Sequence, residues 1–297
     1  MQKRNVLDSP RLLELKKEKH KIFLRKIYIS IFLFFITVVA LCLISRIDRL
    51  NISTVEVKGN RIIDTKVITK IVDDQTRGYY AWIFPKTNIL FYPKNNIKDK
   101  LSLELERLEG ITLAIKNNTV LEISVTERTG KFIWCGDSLD QEANQEKCYF
   151  LDDRGYLFDE APYFSGDVYF KFYGSTSGDA VGRANGDGGN AIAGSYFEKE
   201  NFQKFILFKS LLEEMGLNPE KLYVENENNA KMILHRGSTL GRGAEVLFKP
   251  DFDVDKVSEN LRAAFNVEPL LSDIKNKYSS LLYIDVRFEN KVYYKFK

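Results

Sequence analysis

Hydrophobic and polar positions change rhythm three times along this chain. Ile27 to Ser45 (IYISIFLFFITVVALCLIS) has no polar face, being nineteen uncharged residues in a row. From Ile52 an ordered pattern begins. ISTVEV alternates with the period of two that marks a half-buried strand and stops at Lys58-Gly59-Asn60, a turn signal. Asp64 or Thr65 then caps a helix with Val67, Ile68, Ile71 and Val72 on one face, ending before Gly78. After a loop rich in aromatics, YYAWIFPKTNILFYP, a second helix is predicted from about Asn95 to Glu109. Its Ile97, Leu101, Leu105 and Leu108 point inward and Gly110 is its stop. ITLAIKNNTVLEISVTER reads as two strands meeting at Asn117-Asn118, since Asn tolerates the positive φ of a tight hairpin. The predicted order is strand, helix, helix, strand, strand.

Beyond Arg128 the rhythm is mixed. KFIWC and CYFLD read as strands. Ser195 with Glu198 forms a capping box ahead of a helix that buries Phe202, Phe205, Phe208, Leu212 and Met215 and closes at Gly216 and Pro219. KLYVEN, AKMILHR and GAEVLFKP are strand-like, and a last helix from about Asp253 to Asn266 carries Val254, Val257, Leu261 and Phe265 on one side. In YIDVRFENKVYYKFK, Ile284, Val286 and Phe288 alternate with Asp285, Arg287 and Glu289; after Asn290-Lys291, Val292, Tyr294 and Phe296 alternate with Tyr293, Lys295 and Lys297. That is a hairpin of two half-buried strands, expected at the rim of a sheet with one row of backbone groups unpaired.

Charge gives the apolar run its meaning. Residues 1–26 hold nine Lys and Arg against Asp8, Glu14 and Glu18, a surplus of +6, so a net charge of +3 leaves −3 for the other residues. Little basic surface remains to hold nucleic acid. Nineteen residues of helix span roughly 28 Å, close to the hydrocarbon thickness of a bilayer. The basic flank predicts a cytoplasmic N-terminal tail (1–26), an uncleaved single-pass helix (27–45) and an extracytoplasmic remainder. A cleaved signal peptide fits poorly, because the run is too long and Ala40-Leu41-Cys42 lies inside it. Outside the cytoplasm, Cys135 and Cys148, at the ends of two apparent strands, face each other across a hairpin. They are open to two states, a disulfide or a pair of half-buried thiols.

Catalytic signals are sparse. His20 lies in the tail and His235 in a strand pattern, too few for a triad or a His-ligated metal site. Asp152 and Asp153 beside Gly155 read as a turn rather than a glycosidase pair; NGDGGN (185–190) lacks the spaced acids of a calcium loop, and GSTLGRG (237–243) lacks a following Lys-Ser/Thr. Trp82, Phe84, Phe91 and Tyr92 read as core and loop packing. The expectation is a non-enzyme without cofactor, metal or small-molecule substrate, working by contact.

Several segments in order carry a resemblance. VEVKGN (55–60) resembles the first strand and Gly-Asn turn of a POTRA domain. LEISVTER (121–128), FIWC and YFLDDRGYLF (149–158) resemble the central strands of the FtsQ/DivIB cell-division family. GLNPEKLYV (216–224), HRGSTLGRG (235–243) and YIDVRFENKVYYK (283–295) are similar to its later strands and closing hairpin. Gly130 stands where that family usually has Pro, the 112–123 segment lacks a common Pro, and 174–195 is an atypical Gly/Ser/Asn-rich insertion that should be a mobile loop. The resemblance implies an α+β protein: a single transmembrane helix, a POTRA-like β-α-α-β-β domain (47–128) and a mixed, β-rich domain (129–297) with an edge hairpin. It implies a non-catalytic divisome scaffold in the cytoplasmic membrane at the septum, holding the FtsB–FtsL coiled coil and helping control septal peptidoglycan synthesis. Carried over by position, its docking residues are Arg287, Phe288, Asn290, Val292, Tyr293 and Tyr294. Two other expectations compete: an anchored cell-wall enzyme, which needs a cleft lined by carboxylates or a metal, and a POTRA-type chaperone or translocation factor.

Overall fold

A computed structural model describes residues 10–139, 147–164, 168–177, 193–235, 243–288 and 290–297, with side chains from residue 17 onward. The central part of the expected insertion (178–192), with its NGDGGN, and most of GSTLGRG lie outside the described residues. The chain divides into two compact units, residues 1–104 with 110–127, and residues 105–109 with 128–297.

The first unit opens with helix α1 (Pro10–Ser45), which begins well before the apolar run because the Lys, Leu, Glu and Arg preceding it are good helix formers. Its stretch from Lys17 to Ser45 is long and apolar enough to cross a membrane, and none of its most apolar window is buried in the protein. Strand β1 (Thr54–Lys58), helix α2 (Thr65–Thr76), the short strands β2 (Tyr79–Tyr80) and β3 (Phe84–Pro85), helix α3 (Lys94–Glu104), and strands β4 (Leu108–Lys116) and β5 (Val120–Glu127) follow. The sheet order is β1-β5-β4, with β1 parallel to β5.

Asp64 is the cap of α2, its carboxylate accepting from the Lys66 N–H at 2.9 Å. Ile68, Ile71 and Val72 are buried, but Val67 is exposed, one position outside the apolar stripe. Gly59 turns the chain at φ +88, and a Cβ there would lie 2.1 Å from the Val125 carbonyl oxygen, so only glycine fits. Glu127 binds the same turn by accepting the backbone N–H groups of Arg61, Ile62 and Ile63.

The predicted second helix is too long. It ends at Glu104, and Leu108 to Gly110 belong to β4, so Gly110 is not its stop. Asn117 and Asn118, at φ 50 and 61, make a tight turn, and the register it imposes sets Gly110 beside Thr126. Leaving the helix lets 108–110 satisfy the far arm of that hairpin, which outweighs one more helical turn. The reading of Trp82 as packed is also corrected. It is 91% exposed, at the tip of the β2–β3 hairpin.

The second unit is built on a nine-stranded mixed sheet. Its strands are β6 (Phe132–Trp134), β7 (Cys148–Leu151), β8 (Leu157–Ala161), β9 (Lys171–Tyr173), β12 (Pro219–Asn226), β13 (Asn229–Leu234), β14 (Glu245–Phe248), β15 (Leu281–Phe288) and β16 (Lys291–Phe296). Their spatial order is β16-β15-β14-β13-β12-β9-β6-β7-β8. A separate ribbon pairs β10 (Thr176–Ser177) with β11 (Tyr196–Phe197). That pairing removes the expected capping box. Ser195 leads into a strand, and helix α4 (Phe202–Glu214) starts at Asn201 without a side-chain cap.

Helices α4, α5 (Val254–Phe265) and α6 (Leu270–Lys277) complete the unit. Phe202, Phe205 and Phe208 of α4, with Val257 and Leu261 of α5, close one core with Leu222, Met232, Val246 and Ile284 of the sheet. A smaller cluster holds Ile133, Cys135, Ala161 and Tyr173. Cys135 and Cys148, at the open ends of β6 and β7, are joined as a disulfide. The aromatic core is dense; Phe208, Phe248 and Phe252 lie with ring centroids 5.0 to 5.2 Å apart, the spacing of favourable edge-to-face pairs.

Candidate partner-binding edge

Two strands, β16 and β8, border the nine-stranded sheet. The start of β8 is already engaged. Leu157 donates its N–H to the Ser195 carbonyl at 2.9 Å and accepts from Gly194 at 2.7 Å. On β16, Lys297 N–H bonds inward to Ser280 O at 2.9 Å, which places the inward-directed backbone groups at Tyr293, Lys295 and Lys297. By alternation the groups of Val292, Tyr294 and Phe296 point away from the sheet. Among the described residues no strand pairs with that outer side.

The side chains of β16 also divide in two. Val292, Tyr294 and Phe296 pack against the core beneath the helices. Lys291, Tyr293 and Lys295 are exposed. Of the residues predicted for docking, Val292 and Tyr294 therefore offer backbone, Tyr293 offers its side chain, and Asn290 lies exposed in the turn.

Strand β15 departs from simple alternation. Ile284 lies opposite Tyr294 and Asp285 opposite Tyr293, but Phe288 lies opposite Lys291, so β15 holds one extra residue between Asp285 and Phe288. Such a bulge moves every following side chain to the other face. Phe288, expected to share a face with Ile284 and Val286, instead joins Tyr293, their rings edge to face at 5.1 Å. They are 50% and 46% exposed, making a rigid aromatic pair beside the open edge.

Asp285 was expected on the solvent face, yet it is 6% exposed. Arg287 accounts for this. Its Nε and Nη2 donate to the two Asp285 oxygens at 2.9 and 2.6 Å, while Nη1 donates to Asn229 Oδ1 at 2.9 Å. The Asp285 carboxylate pushes the Arg287 pKa up, against the effect of partial burial. Arg287 is thus pinned in place, spanning β15 and β13. A cavity of about 320 Å³ lies at this end of β15, lined by Phe252, Val257, Val286 and Phe288 with Lys249, Lys256 and Arg287. The pairing of Asp285 with Arg287 was visible only as an Asp-x-Arg spacing. Lys291, on the exposed face with Phe288 and Tyr293, carries no strand signal in the sequence, where Asn290-Lys291 reads as the turn.

The other candidates are placed elsewhere. Asp152 is buried in a turn, bonded to Arg128 at 2.5 Å and accepting the N–H groups of Arg154 and Tyr156. The Arg128 guanidinium also lies 4.2 Å over the Tyr156 ring. Burial raises the Tyr156 pKa, with Arg128 opposing. The Asp152 carboxylate is therefore fully used in closing this turn. His235 Nδ1 lies 3.6 Å from Glu220 Oε2, beside a cavity of about 390 Å³ shared with Lys209 and Glu213. Among the described residues no group of three or more His, Cys, Asp or Glu is arranged to hold a metal ion. No protein-family model matches this chain, and no curated protein matches it.

Proposed function

We propose that this chain is a non-catalytic, single-pass membrane scaffold of the FtsQ/DivIB type, holding a partner of the FtsB–FtsL kind by strand addition to β16. The observation that carries the reading is the outer side of β16, with which no strand pairs among the described residues, flanked by the exposed Phe288–Tyr293 pair. An extended segment of the partner would continue the sheet, its backbone bonding to Val292, Tyr294 and Phe296. Phe288 and Tyr293 would supply stiff contact area, and Lys291 and Lys295 would favour acidic side chains on the incoming segment. Arg287 would act by holding β15 in shape and by facing the partner with its remaining edge.

Supporting the rest of the reading are the long apolar helix behind a basic tail and the Cys135–Cys148 disulfide, which suits an oxidising compartment. Residues 54–127 run β-α-β-β-α-β-β, and apart from the short β2–β3 hairpin that order agrees with the POTRA-like reading, in which this unit would recruit further division proteins. The protein would sit in the cytoplasmic membrane at the division septum, its folded units outside the cytoplasm, influencing septal peptidoglycan synthesis through its partners.

Val292→Pro tests the mechanism. Proline removes one outward N–H and no bond of the β15–β16 ladder, a position an edge strand tolerates. In pull-downs from membranes, the variant should still unfold cooperatively near the parent's midpoint and lose the coiled-coil partners; a chain lacking residues 291–297 should lose them too, with a lower midpoint because Val292, Tyr294 and Phe296 pack against the core. Undiminished capture by Val292→Pro would refute strand addition.

A further inference from the structure

The aromatic segment between α2 and α3 is held against the end of α1. Asn88 Nδ2 donates to the Ser45 carbonyl at 3.1 Å, and Ile89 N–H bonds to Leu50 O at 3.0 Å. Ile52 N–H bonds to Thr87 O at 2.9 Å, and Thr87 Oγ1 donates to Asn51 Oδ1 at 3.0 Å. Higher on the helix, Cys42 Sγ reaches the Ile83 carbonyl at 3.9 Å. Cys42 precedes Ser45 by three residues, so Ile83 stands roughly 4 to 5 Å inside the end of the uncharged run.

Trp82 is the neighbour of Ile83 and is 91% exposed. Ala81 and Trp82 form the centre of a turn closed by Ile83 N–H to Tyr80 O at 3.0 Å, and both are at positive φ (48 and 59). Two non-glycine residues in that conformation are uncommon, and here they present an indole at the hairpin tip. Leu90 and Phe91 are exposed as well, with Phe91 5.8 Å from the Phe84 ring. Cations surround the group: Arg46 lies 6.0 Å over Tyr79 and Lys86 5.7 Å over Tyr80.

We infer that this segment is a second membrane element, with Trp82, Leu90 and Phe91 seated at the headgroup–acyl boundary of the bilayer that α1 crosses, at its Ser45 end. The inference rests on the reading of Ile27–Ser45 as a membrane span. An exposed indole level with the last turn of such a span meets lipid rather than bulk water, and interfacial Trp and Tyr are the usual residents of that layer. Arg46 and Lys86 hold their charged groups over the Tyr79 and Tyr80 rings, which keeps two cations beside the loop for lipid phosphates. Docked in this way, the loop fixes the first folded unit at the bilayer surface instead of leaving it on a tether.

The test uses the full chain in phosphatidylcholine–phosphatidylglycerol vesicles, with and without bromine on the upper acyl carbons. Trp134 is buried, so subtracting the spectrum of Trp82→Phe from that of the parent isolates Trp82. Its emission should be blue-shifted, should be largely lost in the brominated vesicles, and should resist iodide on both sides of the bilayer. Emission typical of indole in water, quenched by iodide and indifferent to bromine, overturns the loop's placement while the span stands. Release of the chain by alkaline carbonate overturns the span and the loop's placement with it.

Discussion

Glu122 of β5 lies between two lysines, Lys58 of β1 and Lys116 of β4, and both donate to its Oε2. Hydrogen bonds from Lys116 and Lys58, with their charges, hold its carboxyl below the usual carboxylate range, and the same contact raises Lys58. A carboxylate with a depressed folded pKa stabilises above its unfolded value, near 4.5, and that contribution is lost as pH falls through the folded pKa. The Lys58 contribution is present below 10.5 and fades only as pH rises through its higher folded value. Glu122→Gln should therefore lower the unfolding midpoint at neutral pH and cease to matter well below pH 4.5, in parallel melts of parent and variant from pH 2.5 to 7. An equal difference at every pH would mean that packing, not charge, gives the residue its effect.

At the scale of single elements, the β6–β7 hairpin shows what a covalent link adds. Cys135 and Cys148 are 13 residues apart in sequence, and a loop of that size, closed in the unfolded chain, contributes roughly 3 kcal/mol. Reductant should lower the urea midpoint of the full chain in detergent, and the Cys135→Ala, Cys148→Ala double variant should start at the lower value and ignore reductant. Other elements show which signals survive in a sequence. The Phe202, Phe205, Phe208, Leu212 stripe was legible because a period of 3.6 over about three turns has no competing reading. Leu101, Leu105 and Leu108 misled because their spacing suits a helix continued to Glu109, while the hairpin register that recruits Leu108 to β4 is set by Asn117-Asn118 downstream. Ser195 and Glu198 matched a cap whose position belongs to a strand paired with Thr176–Ser177. The bulge in β15 left no trace in the alternation itself, so the edge hairpin was foreseen and the face of Phe288 was not. Trp82 was misjudged because composition tells that a loop is aromatic, not which ring packs.

Across the molecule, the second unit buries one face of its sheet under α4 and α5 and has β16 as a border, so the contact surface proposed for it is a line rather than a cleft. Charges along a line act mainly on approach. Lys291 and Lys295 lie exposed on β16, and rim charges of this kind govern association rate and salt response more than the lifetime of a complex. Under the proposed docking, the Lys291→Gln, Lys295→Gln double variant should bind its partner more slowly and with a flatter dependence on ionic strength, its dissociation rate nearly unchanged, in surface-capture kinetics at two salt concentrations. A dissociation rate raised as much as the association rate falls would put these ammonium groups in buried contact instead.

The extra residue of β15 has an evolutionary corollary. Losing one codon between Asp285 and Phe288 would straighten the strand and leave the phenylalanine opposite Lys291 on the exposed face, with the downstream strand still in frame to pair. A length change of one amino acid there is then a heritable way to alter the bend of this border while keeping its aromatic character, and variants of the hairpin that differ by a single residue there should share the ring they present and differ in the line of the edge.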